Sequence, residues 1–129
     1  MTRPTLAALT LSLGSIAVAW SPLAAAQEWP KLRPITFIVG FAPASITDVL
    51  ARLVAAKMGE SLGQTVIVEN RAGAGGNIAA QRVAHAAPDG YTLLITSGAY
   101  AVNPSLYPSA GYDALKDFVP VVLAGSTPD

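Results

Sequence analysis

The sequence predicts an α/β fold, a three-layer sandwich in which helices cover both faces of a mostly parallel sheet. From residue 33 to residue 89, short runs of β-branched residues alternate with segments of helical periodicity. The first run, residues 35–39, is apolar almost throughout, as expected of a strand that is covered on both faces. Such alternation is typical of consecutive βαβ units, whose strands form a parallel sheet.

The first strand, residues 35–39, leads into a helix that is expected to begin at about Ile46. Ser45 can cap its first free amides, and Asp48, three residues on, completes an approximate capping box. Gly63 is a natural stop for this helix. Its apolar stripe, which is expected to pack on the sheet, consists of Ile46, Val49, Leu50, Leu53, Val54, Met58 and Leu62.

The same pattern continues along the chain. Residues 65–69 are predicted to form a second strand, residues 78–87 an Ala-rich helix, and residues 91–96 a third strand. Residues 118–124 form a last apolar run, which predicts a fourth strand. Pro120 within this run favours an edge or crossover position over a central one.

Composition excludes several classes of function. The chain has 129 residues, eight Lys and Arg against eight Asp and Glu, one His and no Cys. Nucleic-acid binding needs clustered cations, so we expect no nucleic-acid partner. The lack of Cys excludes a disulfide scaffold and a thiolate zinc site, and a single His leaves little for an imidazole metal site or a Ser-His-Asp triad. We therefore predict no metal and no cofactor.

Residues 1–26 have the pattern of a secretory signal. Arg3 supplies a positive start, an apolar stretch follows, and the alanines at 24–26 offer a small-residue cleavage site. The stretch is shorter than a membrane span requires, and Pro22 follows it directly. We expect cleavage after Ala26 and a periplasmic mature chain of residues 27–129.

Three loops are expected to open at one edge of the predicted sheet, namely residues 41–48, 70–77 and 97–103. In an open parallel sheet, ligands lie outside the carboxyl ends of the strands, where loop amides and helix N-termini converge. The first and third loops follow strands that are neighbours in common doubly wound orders. These two loops are the better candidates for ligand contact.

The first loop suits an anion such as a carboxylate. The helix end and its free amides favour negative charge, and Ser45 and Thr47 add hydroxyl donors. Asp48 would repel a carboxylate, so it is expected to orient the loop or to contact an amine or hydroxyl. The alternative is that Ser45 and Asp48 only cap the helix.

Other candidate residues carry weaker signals. Tyr100 and Asn103 follow the third strand and can hydrogen-bond a ligand, although both residue types equally serve packing and turns. The glycine loop at 73–76 lacks the third glycine of a dinucleotide fingerprint and is not followed by Gly-Lys-Ser/Thr. Its spacing therefore does not match that of a nucleotide-binding motif. A tight turn explains it equally well. His85 lies late on its helix, as a solvent-facing or capping residue would.

Several ordered strings make the chain resemble a known family. They are V-G-F-A-P at 39–43, T-D-V-L-A-R at 47–52, L-G-Q at 62–64, V-E-N-R-A-G-A-G-G-N-I at 68–78, A-P-D-G-Y-T-L-L at 87–94 and N-P-S-L-Y at 103–107. Together with the signal peptide, they are similar to the substrate-binding proteins of tripartite tricarboxylate transporters, the Bug receptors. The resemblance covers nearly the whole mature segment.

The resemblance implies a fold like that of the type II periplasmic binding proteins, with the chain covering the N-terminal part of the first of two lobes. It also implies a receptor, not an enzyme, that holds a small carboxylate or related metabolite for the membrane components of a transporter. In the family, the loops after the first and third strands cradle the ligand. Transferred by position, the implied ligand-binding residues are Ala44, Ser45, Thr47, Asp48, Ser97, Gly98, Tyr100 and Asn103.

Two features depart from the family. Its first loop normally carries Pro-Gly-Gly, whereas this chain has Pro43, Ala44 and Ser45, whose Cβ atoms restrict the backbone. The chain is also expected to lack the second lobe, as a truncated receptor that binds ligand weakly on its own.

Two other functions stay open at this point. One is a small nucleotide-dependent or hydrolytic α/β enzyme, which only the glycine-rich turn supports. The other is a non-binding fragment that self-associates through an unpaired sheet edge and exposed apolar surface.

Overall fold

The computed structural model describes residues 29–126, so the signal sequence expected at residues 1–26 lies outside the described part. The elements in chain order are β1 (Ile35–Val39), α1 (Ile46–Leu62), β2 (Val66–Asn70), a single turn at Ala74–Gly76, α2 (Asn77–Ala84), β3 (Thr92–Ile95) and α3 (Ala99–Leu106).

The three strands form one parallel sheet in the order β2-β1-β3. Val39, the last residue of β1, lies opposite Asn70 of β2 and Ile95 of β3. The carboxyl ends of all three strands therefore meet at one edge, and the loops after β1 and β3 are neighbours, as predicted. With right-handed crossovers, this order places α1 and α2 on opposite faces of the sheet.

The main core lies between β1 and α1. Ile35, Phe37 and Val39, alternate residues of β1, are at most 2 % exposed and pack with Ala51 and Ala55 of α1. Burying each of the three larger side chains contributes about 1.5–3 kcal/mol. The small alanines let α1 lie close to the sheet.

The other face of the sheet is covered by α2. Ile38, which alternation places on this face, is 2 % exposed, and Ala79 and Ala80 of α2 are buried. The helix contacts both β1 and β3. Helices thus cover both faces, which confirms the predicted α/β class.

Local signals placed β1 and α1 correctly. The N–H of Asp48 donates to Ser45 Oγ over 3.2 Å, and Gly63 ends the helix in the left-handed conformation with φ 61°. The prediction of a capping box is wrong in one detail. The Asp48 carboxylate accepts the N–H of Ala44, not that of Ser45, because the Ser45 N–H donates to the carbonyl of Ala42.

Segment 97–103, expected to be a loop, becomes helix α3 from Ala99 onwards. Pro104 stands inside this helix and has no N–H to donate to the carbonyl of Tyr100. The hydroxyl of Tyr112 donates to that carbonyl instead, over 2.8 Å. A contact from outside the helix therefore compensates for the proline.

The predicted fourth strand at residues 118–124 is wrong, because residues 119–126 belong to no helix or strand. Within residues 29–126, their backbone makes no hydrogen bond. Strand propensity alone does not form a strand without a partner. The other helix and strand boundaries differ from the predicted ones by one to three residues. Among the described helices, none has both the length and the apolar character that a membrane span needs.

Candidate functional site

The three loops at the carboxyl edge of the sheet touch one another. A Cβ atom added to Gly40, just after β1, would lie 3.1 Å from the Cα of Gly76. On the other side, a Cβ added to Gly76 would lie 3.9 Å from Thr96 Oγ1, just after β3. The glycine loop therefore packs between the ends of β1 and β3. The glycines of this loop therefore let its backbone lie close to other parts of the same protein.

Asp48 is the most constrained residue of the first loop, with 2 % of its surface exposed. Its carboxylate accepts the N–H of Ala44 at 2.9 Å, the Nδ2 of Asn70 at 2.8 Å, and two guanidinium nitrogens of Arg52 at 3.0 Å each. Asn70 also donates to the carbonyl of Phe41. These contacts, here called the Asp48 network, join the first loop to the end of β2 and give Asp48 the orienting role expected of it.

The Asp48 network makes the first loop sensitive to acid. Hydrogen bonds from Arg52, then Asn70, then the Ala44 amide lower the pKa of Asp48 from 3.8 to about 2. Since the folded-state pKa is depressed, the unfolded chain binds the proton more readily. The stabilisation is therefore fully present above pH 3.8 and is lost as the pH falls through about 2.

We expect urea unfolding followed over this pH window to show stability declining with acid, and the decline to be shallower in Asp48→Asn. Parallel pH profiles for the two proteins would contradict this prediction.

Ala44 adopts a left-handed conformation with φ 66°, which strains a residue that has a Cβ. Because Ala44 is exposed, Ala44→Gly removes this strain without losing packing. After the entropic cost of glycine, we expect a gain of about 0.5–1 kcal/mol in the free energy of unfolding, measured by urea denaturation.

Ala101→Gly is the matched control, because Ala101 is exposed in helix α3. This variant is expected to lose about 0.5–1 kcal/mol. Equal losses in the two variants would show that the conformation of Ala44 carries no strain.

The loop after β3 presents small polar groups at the start of α3. Ser97 and Gly98 are exposed, and a Cβ added to Gly98 would meet no atom within 4 Å. Ser97 Oγ accepts the N–H of Ala99 at 3.4 Å. The ring of Tyr100 stacks edge-on against Phe118, with the ring centroids 5.8 Å apart. The space next to Gly98 is therefore open.

Asn103 lies inside the protein, not in this open space. It is 5 % exposed, and its Nδ2 donates to the carbonyl of Gly75 at 2.9 Å and to Asn77 Oδ1 at 2.8 Å. The hydroxyl oxygen of Tyr112 lies 3.2 Å from Asn77 Oδ1. Asn103 therefore ties α3 to the glycine loop, so the packing interpretation of this residue is the one that the structure favours.

Of the residues predicted to bind ligand, Ala44, Ser45, Thr47 and Asp48 lie in the loop after β1, and Ser97 and Gly98 lie after β3 at the same edge of the sheet. Arg52 and Asn70, which both bind Asp48, were not among the predicted residues. The spacing of Asp48 and Arg52, four residues apart on a helix, is a readable signal for an ion pair. The contact with Asn70, 22 residues from Asp48, has no such signal.

His85 is exposed at the end of α2, where its Nδ1 lies 2.8 Å from the carbonyl of Gln81, as expected of a capping residue. Among residues 29–126, no group of three or more His, Asp or Glu side chains is arranged to hold a metal ion.

Comparison with known proteins identifies the family. The model of the tripartite tricarboxylate transporter family receptor matches residues 50–128. The chain belongs to this receptor family. It is also 50% identical over 105 residues to Protein BugT of Bordetella pertussis, an alignment that covers 80% of this chain and 32% of BugT.

Solved structures similar to this chain share its fold. The periplasmic binding protein BugD matches with a TM-score of 0.65 and 44% identity, over 67% of this chain and 29% of BugD. MatC from Rhodopseudomonas palustris, solved with bound malate, matches with a TM-score of 0.64 and 45% identity, over 70% of this chain and 31% of MatC. The chain thus spans about a third of the length of these relatives.

These matches confirm the resemblance to the Bug receptors and the periplasmic-binding-protein fold class. The family is one of receptors, and BugD is a binding protein, so the prediction that the chain is not an enzyme is also confirmed.

Proposed function

We propose that the chain is an extracytoplasmic receptor that holds a small carboxylate at the carboxyl edge of its sheet, for a tripartite tricarboxylate-type transporter. One observation carries the proposal: the loops after β1 and β3 leave adjacent parallel strands at the same edge, each beginning a helix there. The malate bound by MatC supports a carboxylate as the ligand class.

The first loop offers neutral donors to such a ligand. The N–H groups of Ile46 and Thr47 lie in the first turn of α1, where no intrahelical acceptor is available and the helix dipole favours an anion. Ser45 Oγ accepts the N–H of Asp48, so its hydroxyl hydrogen can point to the ligand. The Thr47 hydroxyl adds a further donor.

The loop after β3 offers the same chemistry from the other side. The Ser97 hydroxyl and the N–H of Gly98 lie at the start of α3, next to open space. Tyr100 lies one turn further on, with its ring partly exposed. Two helix ends and several hydroxyls suit a carboxylate without a net positive charge on the protein, whose formal net charge is +0.

The Asp48 carboxylate does not oppose this ligand. Arg52 forms an ion pair with it at 3.0 Å, so the local charge is balanced. Asp48 acts here as a positioning residue, because it holds the N–H of Ala44 and thereby the shape of the first loop. Asn103 positions the other side through its bonds to the glycine loop.

The proposal also includes export of the chain to the periplasm. Residues 1–26 act as a signal that is removed after Ala26, and the receptor delivers its solute to the membrane components of the transporter. The periplasmic location of BugD supports this placement.

A titration of the chain, isolated from the periplasm, with malate tests the binding site. We expect the backbone amide signals in a ¹H–¹⁵N spectrum to shift for residues 44–47 and 97–99. The amides of Gly63 and Gly90, at the opposite edge of the sheet, should not move. Malamide, the neutral diamide of malate, is the matched ligand and should leave all signals in place, since it has no charge for the helix ends to attract.

Shifts that are equal for malate and malamide, or that are absent from one of the two loops, would contradict the proposed site. Localised shifts remain readable when the affinity is low, so the test does not depend on tight binding.

A further inference from the structure

Three aromatic side chains meet beside the start of α3. The ring centroid of Phe118 lies 5.8 Å from that of Tyr100 and 5.8 Å from that of Tyr112. Both pairs meet edge-to-face, with interplanar angles of 77° and 88°, which is a favourable arrangement for aromatic rings. All three side chains are half-buried. They are here called the aromatic cluster.

The segment that carries Tyr112 and Phe118 is a turn closed by its own polar groups. The N–H of Asp113 donates to the Asp117 carboxylate over 2.7 Å, and the N–H of Asp117 donates to the carbonyl of Asp113 over 3.0 Å. The Asp113 carboxylate also accepts two backbone N–H groups within the turn. These bonds bring the rings of Tyr112 and Phe118 together.

The start of this segment is attached to α2. Gln81 Nε2 donates to the carbonyl of Ala110 over 2.6 Å, and Ala110 is buried. Gly111 follows with φ 74°, and a Cβ added there would lie 2.7 Å from Gln81 Nε2. The chain therefore passes directly against the Gln81 side chain. The aromatic cluster is thus held from outside α3.

Two contacts from this segment hold Tyr100. The ring of Phe118 packs against its ring, and the hydroxyl of Tyr112 donates to its carbonyl, which Pro104 cannot serve. An edge-to-face pair and a neutral hydrogen bond each change an equilibrium constant by about two- to tenfold. Tyr100 is therefore fixed at its side chain and at its backbone.

The backbone transmits this constraint from Tyr100 to Gly98. The N–H of Tyr100 donates to the carbonyl of Ser97 over 3.2 Å. That carbonyl and the N–H of Gly98 belong to one planar trans peptide unit, so they point in opposite directions. Because the carbonyl is directed toward Tyr100, the N–H of Gly98 points away from α3.

We propose that Tyr112 and Phe118 are positioning residues of the solute site. By holding Tyr100, they fix the direction of the Gly98 N–H that meets the carboxylate. This inference rests on the proposed function. Because the loop after β3 is ordered before the solute arrives, binding does not have to order it, which favours affinity.

A malate titration followed by backbone amide signals tests the proposal in two variants. Tyr112→Phe removes the hydroxyl alone, and Phe118→Leu removes the ring that meets Tyr100. In each variant the dissociation constant for malate is expected to rise about two- to tenfold. At saturation, the malate-induced shift of the Gly98 signal should be smaller than in the parent, and the shifts of residues 44–47 should be unchanged. A purely structural role would lower the Tm and leave the Gly98 shift as it is.

Tyr107→Phe is the matched control, because Tyr107 is 46% exposed at the end of α3 and lies outside the aromatic cluster. It should bind malate as the parent does. Phe118→Tyr keeps the ring that packs on Tyr100, so this variant should also retain the affinity of the parent.

An affinity equal to that of Tyr107→Phe, or an unchanged Gly98 shift, in either Tyr112→Phe or Phe118→Leu would overturn the inference and leave the proposed function standing. A parent chain whose amides do not respond to malate would overturn the proposed function, and this inference with it. The titration of the parent therefore distinguishes the two failures.

Discussion

Asn103→Leu is expected to lower the free energy of unfolding by about 2–3 kcal/mol and the Tm by roughly 10–20 °C. The substitution keeps the number of heavy atoms in the side chain but replaces the amide that donates to Gly75 and Asn77 with larger, apolar methyl groups. Asn77, which is 4 % exposed, and the carbonyl of Gly75 then lose this donor, so α3 loses its hydrogen bonds to the glycine loop and to the start of α2. Thermal unfolding followed by circular dichroism measures the change.

Two further variants isolate the hydrogen bond. Val102→Ala changes an exposed neighbour on the same helix and should stay within about 0.5 kcal/mol of the parent. Asn103→Asp keeps the shape but places an acceptor against two acceptors, so it should be as unstable as the leucine variant at neutral pH. It should recover relative to the parent in acid, where a protonated carboxyl can donate. An Asn103→Leu protein as stable as the parent would contradict the assigned role.

Asp48→Ala is expected to weaken malate binding about tenfold and to lower stability. The N–H of Ala44 loses its acceptor, and Arg52 and Asn70 lose the group that both of them bind. The first loop is then no longer held in shape, so its ordering must occur on binding, at a cost in affinity. The amide titration with malate measures this loss.

Glu60→Ala is the control for the loss of one negative charge from the same helix. Glu60 pairs with Lys57 on the exposed face of α1, and such pairs contribute little. This variant should bind malate as the parent does. If Asp48→Ala were less stable but bound malate with unchanged affinity, Asp48 would be a purely structural residue.

The first βαβ unit could be predicted from sequence because each of its signals is local. The apolar run of β1, the Ser45 cap and the Gly63 stop all act within a few residues. The strand order could be predicted as well, because right-handed crossovers leave few arrangements for three parallel strands.

The features that were mispredicted depend on distant contacts. Pro104 signals the end of a helix, but Tyr112 satisfies the carbonyl that the proline leaves without a donor, and this contact has no local signature. Likewise, the residues at 118–124 have strand propensity but no partner within the described chain. Strand propensity is only a preference of the residues, and a strand forms only where a neighbouring strand is available to pair with it.

The edge at which the three loops meet was predictable from the sequence, but the contacts within it were predictable only in part. The carboxyl edge follows from parallel topology alone, and the polar residues near it can be read from the sequence. Asn103 was placed at the edge because its segment was read as a loop. Once residues 99–106 are helical, its side chain lies against the glycine loop.

The most direct test of the binding edge is a set of intermolecular nuclear Overhauser effects between malate protons and backbone amides. The proposed site predicts contacts from a single bound malate to Ile46 or Thr47 and, in the same complex, to Ser97 or Gly98. Contacts confined to the opposite edge, for example to Arg33 or Gly63, would contradict it.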